Sequence, residues 1–323
     1  PDRDAVPAPL LFARMAHPTR ANAPVARRGP DVIDDVQFRR RVRGWCQACL
    51  ALSGPSIALF EPDGVEFAAA LIGAWYAGKT VYVPGDVQPD TCRALEQVGV
   101  HFAGAFPDPW STIGAVHDGD ASLPFDVLDA NTAALVIYTS GSTGVPQALH
   151  KRAGQLLAEV GTLEQQFGAR VEGSEILATV SHQHIYGLLF KILWPLVTGR
   201  TFESVSVPFP EHVVAHLRER RTTVISGPAH LKRLPQSLEW AAARGGLAAL
   251  FSSGGPISLD TVTSVESLLH QAPIEVYGSS ETGGIAWRQR TGGHDEPWTP
   301  FPGVQVRDDE GHLSVCSPHL ADA

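Results

Sequence analysis

A chain of 323 residues can bury a large core and should hold more than one subdomain, because single cores stop growing at roughly 250–300 residues. Its 25 lysines and arginines against 34 aspartates and glutamates leave a net charge of −9 with no long basic run, which argues against nucleic acid as a partner. The most apolar segments, 68–78 and 188–197, are too short to span a bilayer, and Lys191 and Pro195 interrupt the second. Four cysteines (Cys46, Cys49, Cys92, Cys316) do not make a disulfide framework in a chain of this size and suit a reducing, cytoplasmic setting. Cys46 and Cys49 have redox spacing, but they sit in a helical pattern and read as helix packing.

In chain order, residues 1–36 are rich in Ala, Arg and Pro, show no sustained period and read as an irregular lead-in. A helix is expected from Val36 through Trp45 and Leu50, then a short buried strand over 56–60. Asp63 and Glu66 have capping-box spacing for a helix over 65–77, which Gly78 is placed to end, and 79–83 gives the next strand. Strand, helix, strand within about thirty residues marks a parallel α/β sheet. The apolar run 133–137 then leads into Tyr138-Thr-Ser-Gly-Ser-Thr-Gly-Val-Pro146. After it, Ala153, Leu156, Leu157, Val160, Leu163 and Phe167 recur at helical spacing up to Gly168. Further strands are expected near 176–180, 222–225, 247–251 and 274–277. Past Gly283, Gly292-Gly293, several prolines and the short runs 304–306 and 313–315 suggest a small β region. The fold class is therefore α/β: two packed α/β subdomains with mostly parallel sheets around one cleft.

Ligands of such sheets sit beyond the carboxyl ends of the strands. Four of these ends carry polar or Gly-rich clusters: 138–144, Ser181-His-Gln-His-Ile-Tyr-Gly187, Ser252-Ser-Gly-Gly-Pro256 and Tyr277-Gly-Ser-Ser-Glu-Thr-Gly283. The first reads as a phosphate cradle, because backbone N–H groups and the hydroxyls of Thr139, Ser140, Ser142 and Thr143 are free to face one anion, while Gly141 and Gly144 allow close approach. A flexible linker is the other reading of such a stretch; the buried strand before it argues against that. The loop lacks the spacing of a P-loop or of a dinucleotide fold, and it lacks the G-x-S-x-G elbow a serine hydrolase requires. His182-x-His184 on a strand would put both rings on one face and invites a zinc reading, but no Cys or acidic partner lies nearby in sequence.

Together these segments resemble the adenylate-forming superfamily, which includes acyl- and aryl-CoA synthetases, luciferases and adenylation domains of nonribosomal peptide synthetases. Residues 138–146 resemble its phosphate loop, 74–84 its early helix-to-strand motif, 253–256 the glycine-rich segment against adenine, and 277–281 its tyrosine–glycine–x–threonine–glutamate motif. The resemblance covers roughly residues 55–320 and keeps the family's motif order. It implies ATP-dependent activation of a carboxylic acid to an acyl-adenylate, which is then passed to a thiol of coenzyme A or of a phosphopantetheinyl carrier protein. By resemblance, Thr139, Ser140, Gly141, Ser142, Thr143 and Gly144 hold the β- and γ-phosphates. Glu281 and Thr139 ligate Mg²⁺, and Ser253, Gly254, Gly255 and Pro256 with Tyr277, Gly278, Ser279 and Ser280 hold the nucleotide. Tyr277 stacks on adenine and Ser280 faces the α-phosphate. His184, Tyr186, Gly187, Ser226, Gly227, Ser279 and Gly284 lie near the acid, and Gly284 with Tyr186 suits a flat aryl acid or an acyl chain better than an amino acid. His184, with Thr139 and Glu281, belongs to the catalytic set.

The sequence departs from the pattern twice. Gln147 follows Pro146 where the family has lysine, and Lys151, in the first turn of the helix, is the candidate replacement charge. The sequence ends at Ala323, before the family's ribose-binding aspartate and its C-terminal lid. The resemblance thus implies an N-terminal domain, poorly active alone, with interleaved subdomains over about 37–174 and 175–283 and a truncated, β-barrel-like region over 284–323. The alternative is a non-catalytic homologue that binds adenylate or nucleotide as a sensor or partner module.

Overall fold

The computed structural model describes residues 22–110, 112–116, 125, 128–129, 131, 134–139 and 147–320, with the backbone alone at Thr139 and Gln147. The chain enters as β1 (Pro24–Arg28) and β2 (Asp31–Asp34), an antiparallel pair inside the stretch read as an irregular lead-in. The periodicity was hidden because β2 is the edge strand and β1, beside it, carries polar, half-exposed residues; only Ala26 and Ile33 are buried. Helix α1 (Asp35–Leu50) starts with a capping box between Asp34 and Gln37, and Cys46 and Cys49 are buried on it as free thiols. Burial pushes the Cys49 thiol up to about 12, so it packs as a small apolar group.

Next comes a six-stranded sheet. Its strands are β3 (Ser56–Phe60), β4 (Thr80–Val83), β5 (His101–Gly104), β6 (Thr112–Ile113), β7 (Ala134–Thr139) and β8 (Gln147–Arg152), in the order β6-β5-β3-β4-β7-β8. All neighbours are parallel except β7 and β8. Helix α2 (Gly64–Tyr76) links β3 to β4 and is apolar nearly all round, as a helix buried on every side must be. Its cap is only half the expected box: the Asp63 carboxylate accepts from the N–H groups of Val65 and Glu66, but Glu66 turns away to Arg41 and Trp45. Helix α3 (Pro89–Val98) precedes β5. Lys151 lies on β8, opposite Leu135 of β7, and not in the first turn of the following helix as expected. The run 147–152 pairs back along β7 because an edge partner satisfies the backbone groups β7 would otherwise leave open.

Helix α4 (Ala153–Phe167) then leads into the second sheet. It contains β9 (Glu175–Ala178), β10 (Phe202–Glu203), β11 (Thr222–Ser226), β12 (Leu247–Ser252), β13 (Ile274–Ser279), β14 (Gly283–Arg288) and β15 (Thr299–Pro300). With β1 and β2 it is nine-stranded, in the order β15-β14-β13-β12-β11-β9-β10-β1-β2. Between β9 and β10 a helical segment, α5 (185–198), carries a π-turn over Leu188–Leu193; α6 (Pro210–Glu219) and α7 (Leu259–Leu269) flank β11 and β12. The core joins α1, α2, α4 and α5 to both sheets. Beyond β13 no barrel closes: β14 and β15 extend the large sheet antiparallel, and β16 (Gln305–Asp309) with β17 (His312–Cys316) is a separate hairpin.

Candidate functional site

Strands β9, β11, β12 and β13 are adjacent and parallel, so their carboxyl ends face one way. A cavity of about 1080 Å³ opens at those ends. Ser181, His184, Tyr186 and Gly187 line it after β9, Gly227 and Pro228 after β11, Ser253 to Pro256 after β12, and Tyr277 to Ser280 along the end of β13. The six-stranded sheet meets the same place. A β-carbon on Gly85, just past β4, would sit 2.9 Å from His184 Cε1, and His182 Nε2 donates to the Glu61 carbonyl beyond β3 at 2.7 Å.

The lining divides by exposure into a mouth and an inner wall. At the mouth, Tyr277 and Trp298 are 46% and 39% exposed, with ring centroids 5.5 Å apart, and the Arg288 guanidinium lies 4.4 Å from the Trp298 ring. Arg288 and Arg290 both donate to the buried Glu275 carboxylate, Arg290 Nε at 2.6 Å, and Arg288 also meets Asp295 at 3.1 Å, so two cations and two carboxylates hold this corner in place. The inner wall is apolar, from Leu189, Phe190, Ile285 and Ala286, with one exception. Glu159 of α4 lines the cavity while its Oε1 accepts the Gly284 N–H at 2.7 Å. Burial pushes its carboxyl up to about 7, against the pull of the Gly284 N–H and the Lys151 charge.

The turn after β13 is closed by Ser279 and Thr282, each accepting from the other's N–H at 3.2 Å. Glu281 at its tip is exposed, and its carboxylate accepts no hydrogen bond from the described residues. Its backbone carbonyl is held instead by Lys151 Nζ at 2.8 Å. Burial lowers the Lys151 pKa, and the nearby Glu159 and Glu281 charges oppose that fall. A free carboxylate of this kind fits a hard cation, which takes one or two protein oxygens and completes its shell with phosphate and water. Among the described residues no group of three His, Cys, Asp or Glu could hold a metal by itself.

His182 and His184 are not on a strand; 181–184 is a turn. His182 is buried against Phe67, its Nε2–H on the Glu61 carbonyl, which leaves Nδ1 to accept from Lys191 Nζ at 3.3 Å. Lys191, on the π-turn, is fully buried and also donates to Ser206 Oγ at 3.0 Å. Burial takes the His182 pKa down to about 3 and that of Lys191 to about 8. Gly187 is required by close approach, since a β-carbon there would lie 2.0 Å from the Ser181 carbonyl oxygen. Tyr186 packs on Phe190 with centroids 4.8 Å apart.

Of the expected residues, His184, Tyr186, Gly187, Gly227, Ser253 to Pro256, Tyr277 to Ser280 and Gly284 share the cavity wall. Ser226 does not: it is buried behind the wall, its hydroxyl 2.9 Å from Thr179 Oγ1, because alternation along β11 turns it away from Gly227. Lys151 and Glu281 flank the wall and are tied to each other. The phosphate-loop residues Ser140, Gly141, Ser142, Thr143 and Gly144 lie outside the described residues, as do the side chains of Thr139 and Gln147. Sequence reasoning missed Glu159, Glu275, Arg288 and Trp298. For Glu159 a signal existed, since it falls three residues after Leu156 and four before Leu163, inside the apolar stripe of α4.

Fold and site together define an α/β protein whose pocket lies at the carboxyl ends of the parallel strands of the nine-stranded sheet. Residues 86–315 match the AMP-binding enzyme family, and the chain belongs to it. It is 28% identical over 171 residues to a 4-coumarate–CoA ligase of Cereibacter sphaeroides, an alignment covering 53% of this chain and 40% of that protein. It is 25% identical over 271 residues to a 2-succinylbenzoate–CoA ligase of Enterococcus faecalis, covering 76% of this chain and 54% of that protein. The chain thus spans about half the length of these curated relatives or less. Its fold matches that of ATP-bound MatB from Rhodopseudomonas palustris with a TM-score of 0.75 at 20% identity, over 97% of this chain and 71% of that one. No helix among the described residues is long and apolar enough to cross a membrane.

Proposed function

We propose that this chain is the nucleotide- and acid-binding part of an AMP-forming acid–thiol ligase. The observation that carries the reading is the convergence of 253–256, 277–280 and 184–187 on one cavity in a chain that matches the AMP-binding family. The named relatives, both CoA ligases, support acid activation followed by thioester formation.

In this reading the acid's carboxylate oxygen attacks the α-phosphorus of ATP, the bond to the β-phosphate oxygen breaks, and pyrophosphate leaves. A thiol of coenzyme A or of a carrier protein then displaces AMP from the acyl-adenylate. No protein nucleophile is needed; the demand is for fixed donors around a phosphorus that spreads negative charge. Tyr277 and Trp298 offer flat faces to the base, the 253–256 loop lies against it, and Ser280 faces the α-phosphate. Thr139 to Gly144, by their likeness to the family's phosphate loop, would hold the β- and γ-phosphates. Glu281, with Thr139, holds Mg²⁺, which when bound neutralises phosphate charge. Lys151 fixes the main chain of Glu281 through its 2.8 Å bond and so orients that carboxylate. His184 and Tyr186 stand where the acid enters. The four free cysteines suit a cytoplasmic setting. The free Glu281 carboxylate favours this reading over a non-catalytic adenylate sensor.

The test is thermal unfolding with Mg-ATP, AMP and non-hydrolysable acyl- and aryl-adenylate analogues, together with ATP–pyrophosphate exchange. A ligand at a hundred times its Kd adds about 2.7 kcal/mol, a shift of several degrees. Absence of any shift from a folded sample, with no exchange, sinks the proposal.

A further inference from the structure

Glu159 is a buried carboxyl set among the apolar side chains of the inner wall, and the activation chemistry above makes no use of it. Its surroundings are specific. Leu189, Phe190, Ile285 and Ala286 make the inner wall apolar, at 2%, 2%, 5% and 4% exposure, and Glu159 itself is 6% exposed. The carboxyl lies against Gly283 and Gly284. A β-carbon at Gly283 would sit 2.7 Å from Glu159 Oε2, and one at Gly284 would sit 3.3 Å from Oε1. Both glycines thus leave the carboxyl uncovered, and Gly283, at φ +69°, is in the left-handed region as well.

One oxygen is engaged and the other is not fixed in the same way. Oε1 takes the Gly284 N–H at 2.7 Å, whereas no described residue donates to Oε2. A carboxyl in an apolar wall with a free oxygen is costly unless something polar meets it. Water can do so in the empty enzyme; a bound acid whose tail fills the cavity expels that water and must supply the partner itself.

The geometry points to Glu159 as the residue that selects the acid, by pairing Oε2 with an uncharged hydroxyl on the substrate's tail. The inference rests on the ligase reading above and names the substrate class within it: a hydroxylated aryl or acyl acid. The neighbouring charge decides between donors. Lys151 already acts as a cation on Glu159, so an ammonium on the tail would be a second positive charge beside one buried carboxylate, whereas a hydroxyl adds none. A second carboxylate on the tail would meet Glu159 as a like charge. A purely apolar tail would leave Oε2 dry and unpaired. Sites built to meet a substrate hydroxyl reject the analogue lacking it strongly, because the site's polar group is then left without a partner.

The experiment uses the full chain and matched pairs of non-hydrolysable aryl-adenylate analogues that differ only in one ring hydroxyl, walked through the ring positions. Dissociation constants are measured by calorimetry, with AMP as the reference ligand. The wild type should bind one hydroxylated isomer at least tenfold more tightly than its unsubstituted partner. Glu159→Met, which replaces the carboxyl by an apolar group, should lose that preference or reverse it, with the AMP constant unchanged. Glu159→Gln keeps an acceptor for the Gly284 N–H and a polar tip, so it should retain a reduced preference. A residue that merely braced the β14 backbone would weaken every ligand alike and leave the ratio untouched. Equal binding of each pair by the wild type, or an unaltered ratio in Glu159→Met, overturns the assignment. The wild-type comparison needs no variant, so a poorly folding substitution leaves the test intact. If AMP and every analogue fail to bind, the ligase reading itself falls; if AMP binds and the hydroxyl makes no difference, only the role of Glu159 does.

Discussion

Lys151 Nζ donates to the main-chain carbonyl of Glu281 at 2.8 Å, joining the edge strand of the six-stranded sheet to the turn beyond β13 of the nine-stranded one. The bond crosses 130 residues of sequence and fixes the backbone of a residue whose carboxylate is free. It divides the labour between two groups: a buried cation shapes the turn, and an exposed carboxylate stands at its tip.

Lys151→Met keeps the apolar stem and removes the donor. A charge-assisted hydrogen bond of this kind contributes about 2 kcal/mol, so Tm should fall by a few degrees. Mg-ATP affinity should weaken as well, because the Glu281 turn loses its anchor. Unchanged Tm and unchanged nucleotide binding would show the contact to be inert.

Glu281→Gln preserves shape and removes the charge. The carboxylate takes no hydrogen bond from the described residues, so folding stability should hardly change. Affinity for Mg-ATP should fall roughly tenfold, about 1.4 kcal/mol, while AMP without metal binds as before. Titration of both ligands checks it, and parallel losses for the two would place Glu281 outside the metal's shell.

Gly187→Ala puts a methyl group 2.0 Å from the Ser181 carbonyl oxygen, a backbone atom that cannot swing aside. The main chain between Ser181 and Gly187 must shift, and His184 and Tyr186 lie on it. Overpacking of this order costs about 3 kcal/mol. The expected result is a Tm lower by several degrees and a weakened acid-adenylate analogue, measured against AMP, whose proposed contacts, 253–256 and 277–280, lie outside the shifted segment.

What could be read in the sequence followed from local signals. The strands β9, β11, β12 and β13 each hold a short apolar or β-branched stretch, and the segments after them carry polar or Gly-rich clusters, so both the parallel sheet and the cavity's main walls were legible. Strands β1 and β2 were not: β2 is the sheet's edge and needs neither alternation nor apolarity, and β1 owes its place to pairing with β10, Ala26 opposite Phe202, far along the sequence. Strand β8, reading Gln-Ala-Leu-His-Lys-Arg, has no strand-like composition and takes its form from pairing with β7. The same logic misplaced Lys151: its partner, Glu281, belongs to the other sheet. Glu275, Arg288 and Arg290 form one charged cluster because β13 and β14 pair antiparallel, with Glu275 opposite Arg288.

The buried pair of His182 and Lys191 should make stability depend on pH. The folded-state pKa of His182 is lowered to about 3 from an ordinary 6.5, by burial first and by the Lys191 charge second. Between those values the unfolded chain binds the proton and the folded chain does not, so unfolding becomes easier as the pH falls below 6.5. Lys191, lowered to about 8 by burial, adds a rise in stability from pH 8 toward 10.5 by the same sign rule. Glu159 works the other way: with its carboxyl raised to about 7 from 4.5, its contribution is full below 4.5 and is lost as the pH rises toward 7. The His182 part is isolated by comparison with His182→Gln, which keeps a donor for the Glu61 carbonyl and cannot titrate. Relative to that variant, the wild type should lose on the order of 2 kcal/mol between pH 7 and pH 5, read from urea unfolding at each pH. Parallel curves for the two proteins would mean that the histidine takes up its proton in place, and that the 181–187 turn opens enough to let water reach it.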